Sequence, residues 1–329
     1  MKYFIGIDVG GTKCETVVCN ENADIVGYGI AYGSECANQS VLTDPRGRGG
    51  MGRSLECIQK SFLRATENVD LNEDIYITYN QPISYFIPFL KERKVNFNSI
   101  IHAAEPEGIF RAANLDRCYL ALSGTGAFTY LCEKDDRLYF DGLGPNLGDY
   151  GSGFYIGHKA YKAAALDEWG PEFKTSIARR INKAVLGREN NHYGNDLVPY
   201  FFEMPDRNFI AEFSKIVSEE AEKGDRIAKE ILVDSGRLLG RTLRCLVKNV
   251  RPRPDNLPVV CSGSVLTKCR IFKEAFIEYC REHIPENELI FCPLDSVYGH
   301  LMNSVIQEGS LNKDEFYNKL LISAQNLKK

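Results

Sequence analysis

One short pattern occurs twice in this chain: a strand-like run, a glycine-rich turn that contains a threonine, and a second strand-like run. The first copy runs from Ile5 to Cys19 with Gly10-Gly11-Thr12 at its tip, and the second runs from Tyr119 to Cys132 with Gly124-Thr125-Gly126 at its tip. A polar turn and a third strand-like run follow each copy. The duplication predicts two related halves, each of which presents one glycine turn.

Glycine turns of this kind are suited to binding phosphate. Glycine accepts positive φ and lets the backbone approach a ligand closely, and successive N–H groups in a tight turn form an anion-binding concavity. Asp8 precedes the first turn and can hold Mg²⁺ directly or through water, because Mg²⁺ takes few protein carboxylates and shares phosphate oxygens. We therefore expect two halves that grip one nucleotide polyphosphate in a cleft. The alternative is an ordinary β-hairpin with Gly-Gly at its turn, and Lys13 is equally a phosphate contact or an exposed strand lysine.

Two common nucleotide motifs do not fit. A Walker A loop needs G-x-x-x-x-G-K-[ST] ahead of a helix. The run from Gly6 to Lys13 has its threonine before its lysine, and a strand follows it. The dinucleotide fingerprint fails as well, because no G-x-G-x-x-G links a strand to a helix.

Composition excludes several classes of protein. A formal net charge of −4 argues against a broad surface for nucleic acid or anionic membranes, and the longest uncharged stretch, 75–90, is too short and too polar to span a bilayer. The 11 cysteines include no C-x-x-C pair, so zinc and iron–sulfur sites lack support. Free cysteines predict a reducing, cytoplasmic setting.

The length of 329 residues suggests two domains. Strands that alternate with helices, together with two meanders, predict α/β domains with mixed sheets. We place an N-terminal domain at 1–117 and a C-terminal domain at 118–309, with a helical insertion at about 155–250. The last helix, 310–329, can pack back on the first domain.

Several motifs together resemble a known family. The two glycine turns, the segment Leu147–Gly153 and the turn Cys261–Val265 are similar to those of the BadF/BadG/BcrA/BcrD ATPase family, and most of all to its N-acetylglucosamine kinases. The resemblance covers nearly the whole chain in order. It implies two ribonuclease-H-like (actin-like ATPase) domains that close over ATP, Mg²⁺ and a sugar, in a homodimer.

The resemblance also implies site residues, position by position. Those for ATP are Asp8, Gly10, Gly11, Thr12, Ser123, Gly124, Thr125, Gly126, Gly263 and Ser264, with Asp8 also facing Mg²⁺. Those for the sugar are Asn38, Gly142, Leu143, Gly144 and Asp149. From the residues alone, Asp149 is equally a turn residue that bonds its own backbone, and Gly263 equally belongs to an ordinary strand-to-helix turn.

The chain departs from the family at three places near the sugar. Glu105 stands where the family has its catalytic aspartate, Leu143 stands where it has a tryptophan, and Tyr79–Pro82 replaces a Ser-Gly-Gly-like turn. We predict that Glu105 is the general base that takes the proton of the sugar hydroxyl, with Glu107 as a second candidate. The alternative for Glu105 is an exposed carboxylate at a helix start, where the dipole favours negative charge.

These motifs predict ATP-dependent phosphoryl transfer to a sugar hydroxyl, on N-acetylglucosamine or a related amino sugar. Two alternatives stay open: an ATPase that couples hydrolysis to a partner, and a sugar or nucleotide sensor without catalysis. The cysteines lack the paired pattern of the family branch that holds a shared iron–sulfur cluster.

Overall fold

The computed structural model describes residues 1–10, 13–35, 51–81, 86–133, 136–203, 207–250 and 256–327. The strands in these ranges are β1 (Lys2–Val9), β2 (Lys13–Asn20), β3 (Ile25–Tyr32), β4 (Asp74–Tyr79), β5 (Phe97–His102), β6 (Cys118–Ser123), β7 (Ala127–Glu133), β8 (Asp136–Asp141), β9 (Val259–Ser262) and β10 (Leu289–Phe291). The α-helices are α1 (Met51–Ala65), α2 (Ile87–Glu92), α3 (Glu105–Ala112), α4 (Gly153–Leu166), α5 (Ser176–Leu186), α6 (Leu197–Glu203), α7 (Arg207–Glu222), α8 (Arg226–Asn249), α9 (Ser264–Lys268), α10 (Arg270–His283), α11 (Ser296–Glu308) and α12 (Lys313–Leu327).

The strands form two five-stranded sheets of the same topology. The first has the order β3-β2-β1-β4-β5, with β1, β2 and β3 antiparallel and with β4 and β5 parallel to β1. The second repeats this order as β8-β7-β6-β9-β10, again with three antiparallel and two parallel strands. The predicted α/β class with mixed sheets is confirmed, and the repeated turn of the sequence is the β1–β2 and β6–β7 hairpin.

The chain divides into two compact units, Met1–Asp116 with Cys292–Lys329, and Arg117–Phe291. The segment that carries α11 therefore belongs with the first unit. From the sequence we predicted that it belongs to a C-terminal domain at 118–309. Close packing on β1 explains the difference: a Cβ at Gly6 would collide with the backbone of Val297 and Leu301. The apolar pattern of α11 does not reveal which sheet the helix covers.

The last helix, α12, also packs in the first unit. Phe316 meets Phe4 of β1 edge-on, with ring centroids 5.6 Å apart. The hydroxyl of Tyr317 donates a hydrogen bond to the carbonyl of Ala112, at the end of α3, at 2.8 Å. The first sheet thus has α11 and α12 on the face opposite to α1 and α2, whose residues Phe62 and Phe89 belong to a separate core cluster.

Helices α4 to α8 lie between β8 and β9 and build most of the core of the second unit. Ile156, Leu239 and Phe272 are completely buried there. Side-chain caps fix the starts of two of these helices: the hydroxyl of Ser152 accepts from the amide of Tyr155, and Asp225 accepts from the amide at residue 228. Among the described helices, none is both long and apolar enough to cross a membrane.

Candidate functional site

The carboxylate of Asp8 lies near the carboxyl end of β1, beside the first glycine turn. Its Oδ1 accepts a hydrogen bond from Nδ2 of Asn80 at 2.7 Å, and its Oδ2 accepts one from the hydroxyl of Ser296. The side chain is 17% exposed. Burial raises the pKa of Asp8, while the bonds from Ser296 and Asn80 and the charge of Lys13 oppose that rise. A bound cation would stabilise the ionised form of this oriented, partly desolvated carboxylate.

Asn80 is a site residue that the sequence reasoning missed. It directly follows β4, the parallel neighbour of β1, and its Oδ1 accepts a hydrogen bond from the amide of Val9 at 2.8 Å. Ligands of α/β sheets bind outside the carboxyl ends of parallel strands. A polar residue immediately after a predicted parallel strand could therefore have indicated a site residue. Our sequence analysis considered Tyr79–Pro82 only as a departure from the family.

His300 lies one helical turn after Ser296 on α11 and is completely buried. Its Nε2 is 3.8 Å from Oδ1 of Asp8, and neither ring nitrogen has a hydrogen-bond partner in the described part of the chain. Burial lowers the pKa of His300 to about 3, so the imidazole is neutral. A Cβ at Gly108 of α3 would lie 2.5 Å from Nε2. The neutral ring therefore separates Asp8 from α3, the helix that begins with Glu105.

The first glycine turn closes a tight hairpin. The amide of Gly10 donates to the carbonyl of Lys13 at 2.9 Å. The ammonium of Lys13 pairs with Oε2 of Glu15 at 2.6 Å, which holds it beside the turn. Three of the predicted site residues, Gly11, Thr12 and Asn38, lie outside the described residues.

The two candidate bases differ in their surroundings. Glu105 is the first residue of α3 and is exposed. Glu107 accepts a hydrogen bond from the amide of Ala104 through Oε2 at 3.2 Å, so it caps the start of the same helix. The structure therefore gives the Glu107 carboxylate a role in capping α3.

The second glycine turn is fastened by the start of α4. The amide of Gly153 donates to the carbonyl of Gly124 at 2.7 Å, and the amide of Phe154 donates to the carbonyl of Thr125 at 3.2 Å. Within the turn, the amide of Gly124 donates to the carbonyl of Gly126 at 2.9 Å. A Cβ at Gly124 would meet no described atom within 4 Å. This side of the turn is therefore open to a ligand.

Ser123 and Gly263 hold this turn in position. Ser123 is completely buried, and its hydroxyl donates to the carbonyl of Gly151 at 2.7 Å, so it positions the turn. Gly263 has φ 93°, and a Cβ there would collide with the carbonyl of Ser123 and lie 2.9 Å from the amide nitrogen of Gly124. Both features require glycine. The turn after β9 therefore packs directly on the second glycine turn, and Ser264 follows it as the exposed first residue of α9.

The segment predicted to contact the sugar is a closed loop. Its two ends meet at Asp141, whose Oδ1 accepts from the amide of Asp149 at 2.6 Å and whose Oδ2 accepts from the amide of Tyr150 at 2.8 Å. The amide of Gly144 donates to Oδ1 of Asp149 at 3.1 Å. Asp141 is a second residue that the sequence reasoning missed, and it gives the loop a fixed shape.

Within this loop, Gly142 and Gly144 have positive φ, at 71° and 86°, which explains glycine at both positions. Leu143 lies between them and is 67% exposed. An exposed leucine offers an apolar contact where the resemblance predicts a sugar-facing tryptophan.

Asp149 itself is buried, at 3% exposure, and forms an ion pair with Nη2 of Arg207. Burial raises the pKa of Asp149, while the charge of Arg207 and the bond from Gly144 oppose that rise. A Cβ at Gly126 would collide with the guanidinium and lie 3.0 Å from Oδ2 of Asp149. The ion pair therefore lies against the last residue of the second glycine turn. Arg207 lies far along the chain, and nothing in the sequence pattern pointed to it.

The structure thus gathers the predicted residues that it describes into two groups, one in each unit. Asp8, Gly10 and Lys13 form the first. The second comprises the turn from Ser123 to Gly126, Gly263, and the loop that ends at Asp149. Glu105 and Ser264 lie at helix starts, in the first and second unit respectively.

Solved structures define the class of fold to which this arrangement belongs. A protein of Chromobacterium violaceum, described as a candidate N-acetylglucosamine kinase, superposes with a TM-score of 0.67 at 16% identity, over 92% of this chain and 99% of that one. A ROK family glucokinase of Streptomyces griseus in complex with glucose and AMPPNP superposes with a TM-score of 0.58 at 15% identity, over 93% of this chain and 100% of that one. The predicted actin-like ATPase fold is confirmed.

The chain belongs to the BadF/BadG/BcrA/BcrD ATPase family, whose model matches residues 98–301, more than half of the sequence. Membership of an ATPase family implies that the chain binds ATP. Two characterised relatives are similar along nearly their full length. An N-acetylmuramic acid/N-acetylglucosamine kinase of Clostridium acetobutylicum is 24% identical over 91% of this chain and 97% of its own. An N-acetyl-D-glucosamine kinase of Dictyostelium discoideum is 24% identical over 90% and 95%.

Proposed function

We propose that this protein is an ATP-dependent sugar kinase that transfers a phosphoryl group to a hydroxyl of N-acetylglucosamine or a related amino sugar. The observation that carries the proposal is the second glycine turn. Backbone hydrogen bonds from the start of α4 hold this turn, and Gly263 packs against it. No described atom would lie within 4 Å of a Cβ at Gly124. Backbone amides held in this way suit a phosphate. The similarity to two amino-sugar kinases over nine-tenths of the chain supports the choice of acceptor.

The residues around Asp8 fit a Mg²⁺ ion. Mg²⁺ keeps several waters and is bound through one or two carboxylates plus substrate phosphates. Asp8 supplies one carboxylate, which Asn80 and Ser296 orient and whose pKa burial raises. No group of three or more histidine, cysteine, aspartate or glutamate side chains suited to a metal occurs among the described residues. That donor set suits an ion whose remaining ligands are water and phosphate. Such an ion supplies neutralisation of phosphate charge.

We assign the remaining nucleotide contacts by unit. In the first unit, Gly10, Gly11, Thr12 and Lys13 bind phosphate. In the second unit, Gly124, Thr125 and Gly126 bind phosphate through the turn, with Ser123 as their support, and Gly263 and Ser264 contact the adenosine. Phosphoryl transfer asks mostly for positioning and charge neutralisation, and the second turn, which α4 holds in place, would provide positioning.

We assign the proton transfer to Glu105. Its carboxylate would accept the proton of the sugar hydroxyl as the new bond to phosphorus forms, which contributes about 10²–10⁴ in rate. Gly142, Leu143 and Gly144 would contact the sugar from the second unit, and Asn38 stays a predicted sugar contact of the first. Asp149 would support that loop, because its carboxylate is buried against Arg207.

A panel of acceptors tests the proposal. The purified chain is given Mg²⁺ and ATP, and ADP release is followed with hexoses, amino sugars and N-acetylated sugars, each against a sample without sugar. We expect ADP release to depend on an N-acetylated amino sugar. Equal turnover without any sugar would identify an ATPase, and ATP binding without turnover would identify a sensor. The homodimer remains a prediction, which light scattering in solution checks.

A further inference from the structure

We propose that Arg207 contacts a phosphate oxygen of the bound nucleotide, and that Asp149 holds its guanidinium in place for that contact. This inference rests on the proposed function, because it adds a residue to the nucleotide site of the second unit. It replaces the direct role in sugar binding that the sequence predicted for Asp149 by a supporting one.

The position of Arg207 is the first observation. Its guanidinium occupies the space that a side chain at Gly126 would take. Gly126 is absent from the residues with positive φ, so its backbone does not itself require glycine. A side chain at this position would displace the end of the Arg207 side chain and press on Oδ2 of Asp149. Glycine at the last position of the turn thus leaves room for a guanidinium beside the backbone of the turn.

The hydrogen-bonding capacity of Arg207 is the second observation. A guanidinium has five N–H donors in a rigid plane. Nη2 donates to Asp149, and Nε is buried without a partner in the described ranges. The side chain is nevertheless 28% exposed, so part of the guanidinium reaches the surface of the unit. Such a group still has donors for an oxyanion, and arginine matches phosphate geometry better than lysine does.

The surroundings of Asp149 are the third observation. Oδ1 is occupied by the amide of Gly144, and Oδ2 by Arg207, so the carboxylate cannot rotate without losing one of the two bonds. The backbone of Asp149 is fixed in turn by Asp141. A buried ion pair is weak evidence for stability, because desolvation offsets most of the attraction. Because the pair adds little stability, we explain it as a contact that orients the guanidinium of Arg207.

The test compares phosphorylated and unphosphorylated ligands of the same base. Affinities for ATP with Mg²⁺, for ADP and for adenosine are measured by calorimetry at one salt concentration, together with the melting temperature. For Arg207→Gln we expect ATP and ADP affinity to fall about 10- to 100-fold, the usual value of a charge-assisted hydrogen bond. Adenosine affinity stays within about twofold, because no phosphate is present.

Two further variants keep the outcome decisive. Arg207→Lys keeps the positive charge beside Asp149 but loses the planar fork, so we expect a partial loss of ATP affinity with the parental melting temperature. This variant carries the test if Arg207→Gln does not fold. Arg237→Gln is the matched control, because Arg237 forms an exposed ion pair with Glu278 in the same unit, and its loss should change no affinity.

Two results would overturn the inference. One is parental ATP affinity in both Arg207 variants. The other is an equal loss of ATP and adenosine affinity together with a lower melting temperature, which would show that the ion pair only holds the fold. A parental protein that binds no ATP would overturn the proposed function as well, so the two failures are distinguishable.

Discussion

The two glycine turns occupy the same place in two sheets of the same topology, yet different means support them. In the first unit, the residue after the parallel neighbour of the central strand is Asn80, and its side chain bonds both Val9 and Asp8. In the second unit, the corresponding residue is Gly263, and its lack of a side chain lets the backbone lie against Ser123. The end of β1 is thus held by a polar side chain, whereas the second turn is held by close backbone packing.

The charges beside the two turns also differ. Asp8 brings a buried carboxylate to the first turn, whereas Arg207 brings a guanidinium to the second. The two units therefore share the order of their strands, while the charged groups near their glycine turns differ. A carboxylate suits a cation and a guanidinium suits an anion, so we expect loss of Asp8 to reduce turnover and loss of Arg207 to reduce nucleotide affinity.

The largest expected effect is on turnover, from Glu105→Gln. This change removes the proposed base while keeping the size of the side chain, so kcat should fall by about 10²–10⁴. ATP affinity should be unchanged, as measured by calorimetry. Glu107→Gln is the matched control, because Glu107 caps the same helix: its kcat should stay near the parental value. Parental kcat in Glu105→Gln would show that Glu105 is not the base.

The next largest effect is expected from Asp8→Asn. Loss of the carboxylate should lower kcat by about 10²–10³, the usual result of removing one group that stabilises the transition state through charge. Burial raises the pKa of Asp8, so ionising it costs stability as the pH rises through that pKa. The neutral variant should therefore melt at or above the parental temperature at neutral pH. A large drop in melting temperature with parental kcat would make Asp8 a structural residue.

The third prediction concerns the stability of the second unit. Gly263→Ala places a methyl group against the carbonyl of Ser123 and strains a backbone with φ 93°. We expect the free energy of unfolding to fall by about 1–3 kcal/mol, measured by urea denaturation. Asn80→Ala should cost less, about 0.5–1.5 kcal/mol, because it removes hydrogen bonds without creating a clash. The reverse order would contradict the contrast between side-chain and backbone support.

Local patterns predicted the fold well for a physical reason. Continuous apolar runs with glycine at the turns specify the two meanders, as the buried strands β1, β2 and β6 show. The same reasoning placed Gly263 after its strand and Glu105 at a helix start. These features depend on residues that are neighbours in the chain.

The site residues that the sequence missed come from tertiary packing. Ser296 and His300 reach Asp8 only because Gly6 lets α11 lie directly on β1. Arg207 reaches the second turn from a helix that begins 81 residues after Gly126 in the numbering of the chain. No periodic pattern in the sequence predicts these tertiary contacts. Asn80 is the exception, because its place after a parallel strand was visible in the sequence.

The smallest expected change in stability gives the most direct test of the second turn. Gly124 lacks positive φ, and a Cβ there would meet no described atom within 4 Å, so Gly124→Ala should leave the free energy of unfolding within about 1 kcal/mol of the parent or raise it. A nucleotide phosphate that approaches the backbone closely would meet the new methyl group, so ATP affinity should fall about 10-fold or more while adenosine binds as before. Gly263→Ala should do the opposite and destabilise the unit before any ligand is added. Parental ATP affinity in a folded Gly124→Ala variant would mean that the phosphate lies elsewhere, and the open side of the turn would then have another purpose.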